Sequence, residues 1–148
     1  MRAAAGIAAL LLLAATAAHA SEFRALGGEP AILYDAPSTR ADRLFVASRY
    51  YPFEVLVRLD QWTKVRDFNG EIAWVENKAL GDRPTVMVTV PLADVRAQPS
   101  PQAPLVFEAY KQVILEVAGP PGDGWAKVRH RDGQEGFIRV AHVWGLPG

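Results

Sequence analysis

The sequence predicts an all-β protein in which two similar small barrels follow a short apolar leader. Three observations support this fold class: an internal repeat, short β-rich segments joined by turn dipeptides, and proline scattered along the chain. Of the 148 residues, 11 are proline, which interrupts helices because it lacks a backbone N–H donor. No stretch after the leader carries a sustained 3.6-residue period, so long helices are not expected.

Residues 1–20 have the layout of a secretory signal peptide. A basic start at Arg2 precedes an apolar stretch centred on residues 10–13, and Ala18-His19-Ala20 supplies a small-x-small cleavage site. An uncleaved membrane anchor is the alternative, but the apolar stretch is shorter than the roughly 20 residues that span a bilayer. We therefore expect cleavage after Ala20, a periplasmic or secreted protein, and no stable membrane insertion after cleavage.

The rest of the chain is a duplicated unit, which becomes visible when Trp62 is aligned with Trp125. Matching segments follow in the same order in both copies: WTKVR at 62–66 and WAKVR at 125–129, Asn69-Gly70 and Asp132-Gly133, and Trp74-Val75 and Phe137-Ile138. This predicts domains at residues 21–82 and 83–148. Each has about 60 residues, near the lower size limit for an independent core, so we expect the two to pack together.

Within each copy, the sequence predicts short β-strands. The segments 53–57 and 112–117 are rich in β-formers. The strand that begins at each tryptophan runs into Asn69-Gly70 or Asp132-Gly133, dipeptides that favour a type I′ turn with both central residues at positive φ. Return strands are then expected at 71–75 and 135–138.

Taken in order, these motifs resemble bacterial SH3 domains over most of residues 23–146. The resemblance is strongest in the second copy, which has GWAKVR at 124–129, DGQEGFI at 132–138 and VWG at 143–145. The first copy departs at Ala73, where the family usually has Gly, and lacks the Gly before Trp62. The resemblance implies a five-stranded SH3-like barrel without catalytic activity. Such domains accompany cell-wall enzymes or exported proteins and often bind peptidoglycan or peptide.

The two strand-initial tryptophans are the leading candidate binding residues. On a period of two they share a face with basic side chains of their own strand, while Val65 and Val128 point to the opposite, buried face. One interpretation is a stacking platform with cationic neighbours for a glycan or an anionic peptide. The other is a partly buried tryptophan covered by Lys and Arg stems. The complete candidate groove is Tyr34, Tyr50, Tyr51, Trp62, Trp125, Lys127 and Arg129.

Several other binding and catalytic chemistries are not expected. Polyproline docking needs aromatic ridges, but Arg96 stands at the counterpart of Tyr34, and Glu76 and Arg139 occupy the groove proline position of eukaryotic SH3 domains. Equal numbers of basic and acidic residues, 16 each, argue against nucleic-acid binding. With no cysteine and no histidine pair at ligand spacing, we predict no metal, no cofactor and no catalytic residues.

The sequence therefore predicts a non-catalytic, exported binding module of the bacterial cell envelope that recognises peptidoglycan or a peptide. The alternative is a structural adaptor that binds another envelope protein, such as a cell-wall hydrolase, without contacting glycan.

Overall fold

The computed structural model of the chain describes residues 19–147. The predicted signal peptide lies almost wholly outside these residues, as does residue 148. The first sheet comprises β1 (Phe23–Leu26), β2 (Ala31–Tyr34), β3 (Arg43–Ala47), β4 (Pro52–Arg58), β5 (Trp62–Arg66), β6 (Ile72–Glu76) and β7 (Leu80–Gly81). The second comprises β8 (Thr85–Val88), β9 (Leu92–Arg96), β10 (Leu105–Tyr110), β11 (Ile114–Val117), β12 (Trp125–Arg129), β13 (Glu135–Arg139) and β14 (Val143–Trp144).

The two sheets share one topology, which confirms that the chain is an all-β tandem repeat. Their strand orders are β3-β2-β6-β5-β4-β1-β7 and β10-β9-β13-β12-β11-β8-β14, so each strand of one copy has a counterpart in the other. A single 3₁₀ turn precedes the last strand of each sheet, at Asn77–Ala79 and Val140–His142. Within residues 19–147 these turns are the only helical segments.

Each sheet has seven strands rather than five, because the hairpins β2–β3 and β9–β10 pair along their length and a two-residue strand ends each sheet. The terminal strands, β3 with β7 and β10 with β14, do not pair with each other in the described part of the chain. Each domain is therefore an open, curled sheet and not a closed barrel. One face of each sheet holds the core of its domain.

The cores follow the two-residue alternation of the strands. In the first domain, the fully buried side chains include Leu26, Leu33, Phe53, Val65 and Val75. The second domain uses the corresponding strands and buries Val86, Val95, Leu115, Val128 and Ile138.

The β5–β6 and β12–β13 hairpins form where expected, but their turn type differs from the prediction. Only the glycines have positive φ, 87° at Gly70 and 95° at Gly133. Gly70 N donates to Asp67 O at 3.0 Å, and Asp67 N donates to Glu71 O at 2.9 Å, so the loop has three residues. This is a type I turn followed by a left-handed glycine, and the second hairpin repeats it.

The predicted strand at 112–117 begins two residues late, at Ile114. Gln112 has a φ of 73°, which places it outside the extended region that a strand requires. Its N–H donates to Val88 O at 2.8 Å, and the next N–H, of Val113, donates to Tyr110 O at 3.1 Å. The second bond closes a turn, whereas the first still links the chain to β8, so the regular pairing of β11 with β8 begins only at Ile114.

The two domains are in contact across the joining segment 82–84. Phe23 of β1 packs edge-on against Trp144 of β14, with ring centroids 5.0 Å apart. Thr85 Oγ1 donates a 2.6 Å hydrogen bond to Tyr50 O. A side chain on Gly145 would place its Cβ 3.2 Å from the buried Pro52. The second domain is thus packed against the first, as the small size of each predicts.

Candidate ligand-binding site

The tryptophan-bearing strands have the orientation that the alternation predicts. Val65 and Val128 are fully buried, and Trp62 and Trp125 lie on the opposite face of β5 and β12. The two tryptophans differ in exposure, because Trp62 is partly exposed while Trp125 retains only 8% of its accessible surface. The second therefore matches the expectation of a tryptophan covered by its neighbours, and the first presents more of its ring.

In the first domain, Tyr34 and Trp62 form one aromatic unit. Their rings meet edge to face with centroids 5.5 Å apart, a favoured geometry for aromatic pairs. Tyr34 is 5% exposed, so it supports the tryptophan more than it offers a surface of its own. Glu76 lies directly opposite Trp62 on β6, and Lys78 Nζ lies 3.2 Å from its carboxylate.

A third aromatic residue, Trp74, belongs to the same face and was not among the predicted site residues. Trp74 is the register partner of both Tyr34 and Lys64, and Lys64 Nζ lies 5.9 Å from its ring centroid. The sequence contained a usable signal, because Trp74 and Glu76 are two residues apart and must share a face of β6. The Trp62–Glu76 register that links this face to Trp62 was not available from the sequence.

In the second domain, the corresponding face forms a small cavity of about 180 Å³ beside Trp125. The Arg139 guanidinium lies 4.7 Å from the Trp125 ring centroid and is its register partner on β13. The lining residues are Leu92, Asp94, Arg96, Pro101, Trp125, Arg139 and His142. The cavity thus combines one largely buried aromatic ring with two guanidinium groups.

Arg96 occupies the place that Tyr34 has in the first domain. It pairs with Phe137 on β13, as Tyr34 pairs with Trp74 on β6. Its guanidinium donates to Asp94 Oδ2 at 2.7 Å and to Ala103 O at 2.9 Å. These two hydrogen bonds hold the Arg96 guanidinium in one position and pair its charge with Asp94.

Lys127 and Arg129 do not line the cavity beside Trp125. Both instead contact Glu135: Lys127 Nζ lies 3.7 Å from Oε2, and Arg129 forms an ion pair with Oε1. The Arg129 hydrogen bond and charge hold the pKa of the Glu135 carboxyl below its usual range. The two predicted cations are therefore already engaged with one carboxylate on the outer face of the hairpin.

Tyr50 and Tyr51 are likewise not brought to the Tyr34–Trp62 unit. The Tyr51 ring stacks on Phe53 at 4.7 Å and lies 6.4 Å from Phe68. Burial, followed by the charges of Asp67 and Glu71, raises the pKa of Tyr51 to about 12.

Tyr50 has a φ of 64° and lies at the domain boundary, where the guanidinium of Arg83 in the joining segment is 4.8 Å from its ring centroid. The two consecutive tyrosines therefore point to different surroundings, and neither ring packs on Trp62 in the described part of the chain.

The histidines have distinct surroundings. His130 Nδ1 lies 3.1 Å from Asp132 Oδ1, and His142 lines the cavity beside Trp125. Among residues 19–147, no three His, Cys, Asp or Glu side chains are grouped closely enough to hold a metal ion. The same residues contain no helix whose length and apolar character would suit a membrane crossing.

Comparison with known structures gives remote likenesses. NlpC2 from Trichomonas vaginalis has a TM-score of 0.38 at 15% identity, covering 84% of this chain and 48% of that one. NlpC1 from the same organism has a TM-score of 0.39 at 16% identity, covering 93% and 50%. An NlpC/P60 family protein from Bacillus cereus has a TM-score of 0.38 at 16% identity, covering 86% and 57%. The chain thus spans about half the length of these proteins.

Family comparison gives direct matches to both halves of the chain. Two family models, each described as a bacterial SH3 domain, match residues 29–81 and residues 89–145. No curated protein matches the chain. Each matched segment contains every strand of one sheet except the first, β1 or β8, and both models describe the family that the repeated motifs resemble. The chain therefore belongs to the bacterial SH3 domain family and carries two such domains in tandem.

Proposed function

We propose that this chain is a non-catalytic binding module of the bacterial cell envelope, which recognises peptidoglycan or a peptide through the tryptophan-bearing faces of its two domains. The family supports a binding role linked to the cell wall. The signal-peptide pattern in residues 1–20 supports an exported location.

The observation that carries the proposal is that each domain places a tryptophan beside charged groups at the same place in the fold, with Trp62 more exposed than Trp125. Trp62 rests on Tyr34 and faces Glu76, whereas Trp125 lies under Arg139. An aromatic ring stacks on the apolar face of a sugar or an amino-acid side chain, and the adjacent charges orient polar groups of the ligand. Peptidoglycan offers both kinds of group.

Sedimentation with purified sacculi tests this proposal. The protein used is the chain from residue 21 on, which contains every described strand. We expect it to pellet with sacculi at low and moderate salt, and we expect Trp62→Ala and Trp125→Ala each to weaken binding about tenfold, equivalent to about 1.4 kcal/mol. Lys127→Ala is the matched control, because its ammonium group faces Glu135 and not the cavity.

Trp125 is largely buried, so its replacement also risks the fold. Arg139→Ala is therefore the second variant, since it removes the exposed guanidinium over the ring and leaves the core intact. Circular dichroism of each variant checks folding. No enrichment of the wild-type protein over an unrelated β-sheet protein would contradict wall binding.

An adaptor role is the second candidate, and the surface of β3 favours it. β3 is an edge strand whose Leu44 and Val46 are 48% and 67% exposed. An apolar edge strand is a natural place for another protein to add a strand. Crosslinking in cells followed by mass spectrometry separates the two roles: one stoichiometric protein partner without sacculus binding supports the adaptor, and sacculus binding supports the first proposal.

A further inference from the structure

A large cavity lies between the two domains and not beside either tryptophan. Its volume is about 580 Å³, within the range of roughly 300–1,000 Å³ that is usual for small-ligand sites. Its lining comes from both domains and the joining segment: Ser48, Arg49, Tyr50, Arg83, Gln112, Val113, Ile114, Glu116, Arg129, His130, Arg131 and Gly133. Neither domain forms this cavity alone.

The cavity is strongly basic although the whole chain is neutral. Four arginines line it against one carboxylate, that of Glu116. Arg129 is engaged by Glu135, and Arg83 lies 4.0 Å from Glu116. Arg49 and Arg131 are exposed and form no salt bridge with any described residue. Charges of one sign that line a cleft concentrate ligands of the opposite sign there.

Part of the cavity lining is apolar. Val113 and Ile114 line the cavity and are partly exposed, and the Tyr50 ring centroid lies 4.8 Å from the Arg83 guanidinium. A small inorganic anion would contact the arginines and leave the apolar part of the lining unused. A ligand with an apolar side chain next to a carboxylate would fill both parts, and Glu116 would accept a hydrogen bond from one of its N–H groups.

The backbone around the cavity is held in an uncommon conformation. Tyr50 and Gln112 have φ values of 64° and 73°, and they are two of the three described non-glycine residues with positive φ. Tyr50 N donates to Gly27 O at 3.1 Å, and its carbonyl accepts from Thr85 Oγ1. Such a conformation is unfavourable for a residue with a side chain and persists where surrounding contacts enforce it, often at functional sites. Here those contacts fix Tyr50 at the domain boundary.

We infer that the cavity between the domains is a second binding site, which takes a peptide carrying a carboxylate next to an apolar side chain. Arg49 and Arg131 receive the carboxylate, and Tyr50, Val113 and Ile114 receive the apolar group. The site is separate from the Trp62 and Trp125 faces, so the inference does not depend on the function proposed for them.

Fluorescence anisotropy with a defined probe tests the inference. The probe is a fluorescein-labelled hexapeptide of alternating leucine and glutamate, and its control has glutamine in place of each glutamate. We expect the chain from residue 21 on to bind the glutamate peptide at least about tenfold more tightly, because charge-assisted hydrogen bonds to guanidinium groups are lost with glutamine. Equal affinity for both peptides would overturn the inference.

Two double variants test whether the glutamate peptide binds in the cavity. We expect Arg49→Gln with Arg131→Gln to weaken binding about tenfold or more. The matched control is Arg40→Gln with Arg43→Gln, which removes the same charge from exposed arginines outside the cavity and should leave affinity within about twofold. Equal loss in both double variants would show non-specific charge attraction and overturn the inference.

Two further measurements separate this site from the tryptophan faces and from an inorganic anion site. Amide NMR shifts caused by the peptide should centre on Tyr50 and residues 112–114. If Trp62→Ala and Trp125→Ala abolish peptide binding while the cavity variant retains it, this inference fails and the proposed function stands. Inorganic phosphate that binds as tightly as the glutamate peptide would also overturn the peptide assignment.

Discussion

At the scale of single residues, Tyr51 shows how burial changes the chemistry of a predicted surface group. Its ring is stacked on Phe53, and the carboxylates of Asp67 and Glu71 lie near enough to oppose a second negative charge. The neutral phenol is therefore favoured in the folded protein. Tyr51 has a structural place in the first domain, while its neighbour Tyr50 reaches the domain boundary.

The raised pKa of Tyr51 predicts that the folded protein loses stability at alkaline pH. The pKa of this phenol is 10.0 in the unfolded chain and about 12 in the folded protein. The stabilising contribution is therefore complete below pH 10 and is lost as the pH rises from 10 toward 12. Urea unfolding at pH 9, 10 and 11 should show a smaller decline in stability for Tyr51→Phe than for the wild-type protein.

The matched control for this experiment is Tyr110→Phe, which changes a tyrosine that is 72% exposed. It should follow the wild-type pH dependence. Identical slopes for Tyr51→Phe and the wild-type protein would contradict the assignment.

Sequence alternation was sufficient to orient some residues and not others. It placed Val65 and Val128 in the cores and Trp62 and Trp125 on the opposite face, because both strands are regular over these positions. It could not place Tyr50, whose positive φ interrupts the alternation immediately before β4. The predicted grouping of Tyr34, Tyr50, Tyr51 and Trp62 in one groove depended on tertiary geometry that this interruption changes.

At the scale of elements, β13 crosses β9 closely at Gly136. A Cβ at this position would lie 2.7 Å from Arg96 O and 2.7 Å from Val95 Cγ1. The backbone oxygen cannot withdraw without disturbing the pairing of Phe137 with Arg96. The corresponding position of the first domain is Ala73, which is 2% exposed and pairs with Val65 as Gly136 pairs with Val128. The same position thus holds glycine in the second domain and a buried alanine in the first.

This close approach predicts that Gly136→Ala destabilises the second domain. Overpacking of this kind costs about 1–3 kcal/mol, measurable as a lower urea midpoint. The reverse change in the first domain, Ala73→Gly, should cost about 0.5–1 kcal/mol through backbone entropy and about 0.8 kcal/mol more through loss of the buried methyl group. A Gly136→Ala protein with the wild-type midpoint would show that β9 and β13 separate easily.

The hairpin loops show that a turn dipeptide predicts the position of a turn but not its type. Asn69-Gly70 and Asp132-Gly133 located both turns correctly, but the predicted type I′ geometry was wrong. Asp67 is the physical reason in the first domain, because its side chain accepts hydrogen bonds from the N–H groups of Asn69 and Glu71, both at 2.9 Å. These bonds stabilise a three-residue loop over a two-residue one.

At the scale of the whole molecule, the contact between the domains is made by few residues but includes a large aromatic pair. Phe23 and Trp144 meet at 5.0 Å, and Thr85 bonds to the backbone of Tyr50. We expect the wild-type chain from residue 21 on to unfold in one calorimetric transition. Phe23→Ala combined with Thr85→Val should separate it into two, because small domains lose cooperativity when their shared surface is removed.

Leu44→Ala with Val46→Ala is the control for that experiment, since both side chains are exposed on the far edge strand β3. It should preserve a single transition. Two transitions in the wild-type protein would contradict the cooperative packing. The sequence predicted that small domains would pack together, but it could not identify Phe23 and Trp144, because that pair joins the first and last strands of the fold.

The opposite charges beside the two tryptophans have a consequence for the direction of a bound chain. Glu76 faces Trp62 in one domain, and Arg139 covers Trp125 in the other, although the two positions are equivalent in the repeat. The two domains therefore share one fold but differ in the charge of the residue that lies opposite the tryptophan. An extended ligand that engaged both faces would meet a Glu76–Lys78 ion pair beside one tryptophan and the Arg139 guanidinium over the other, so its two ends would lie in different charge environments.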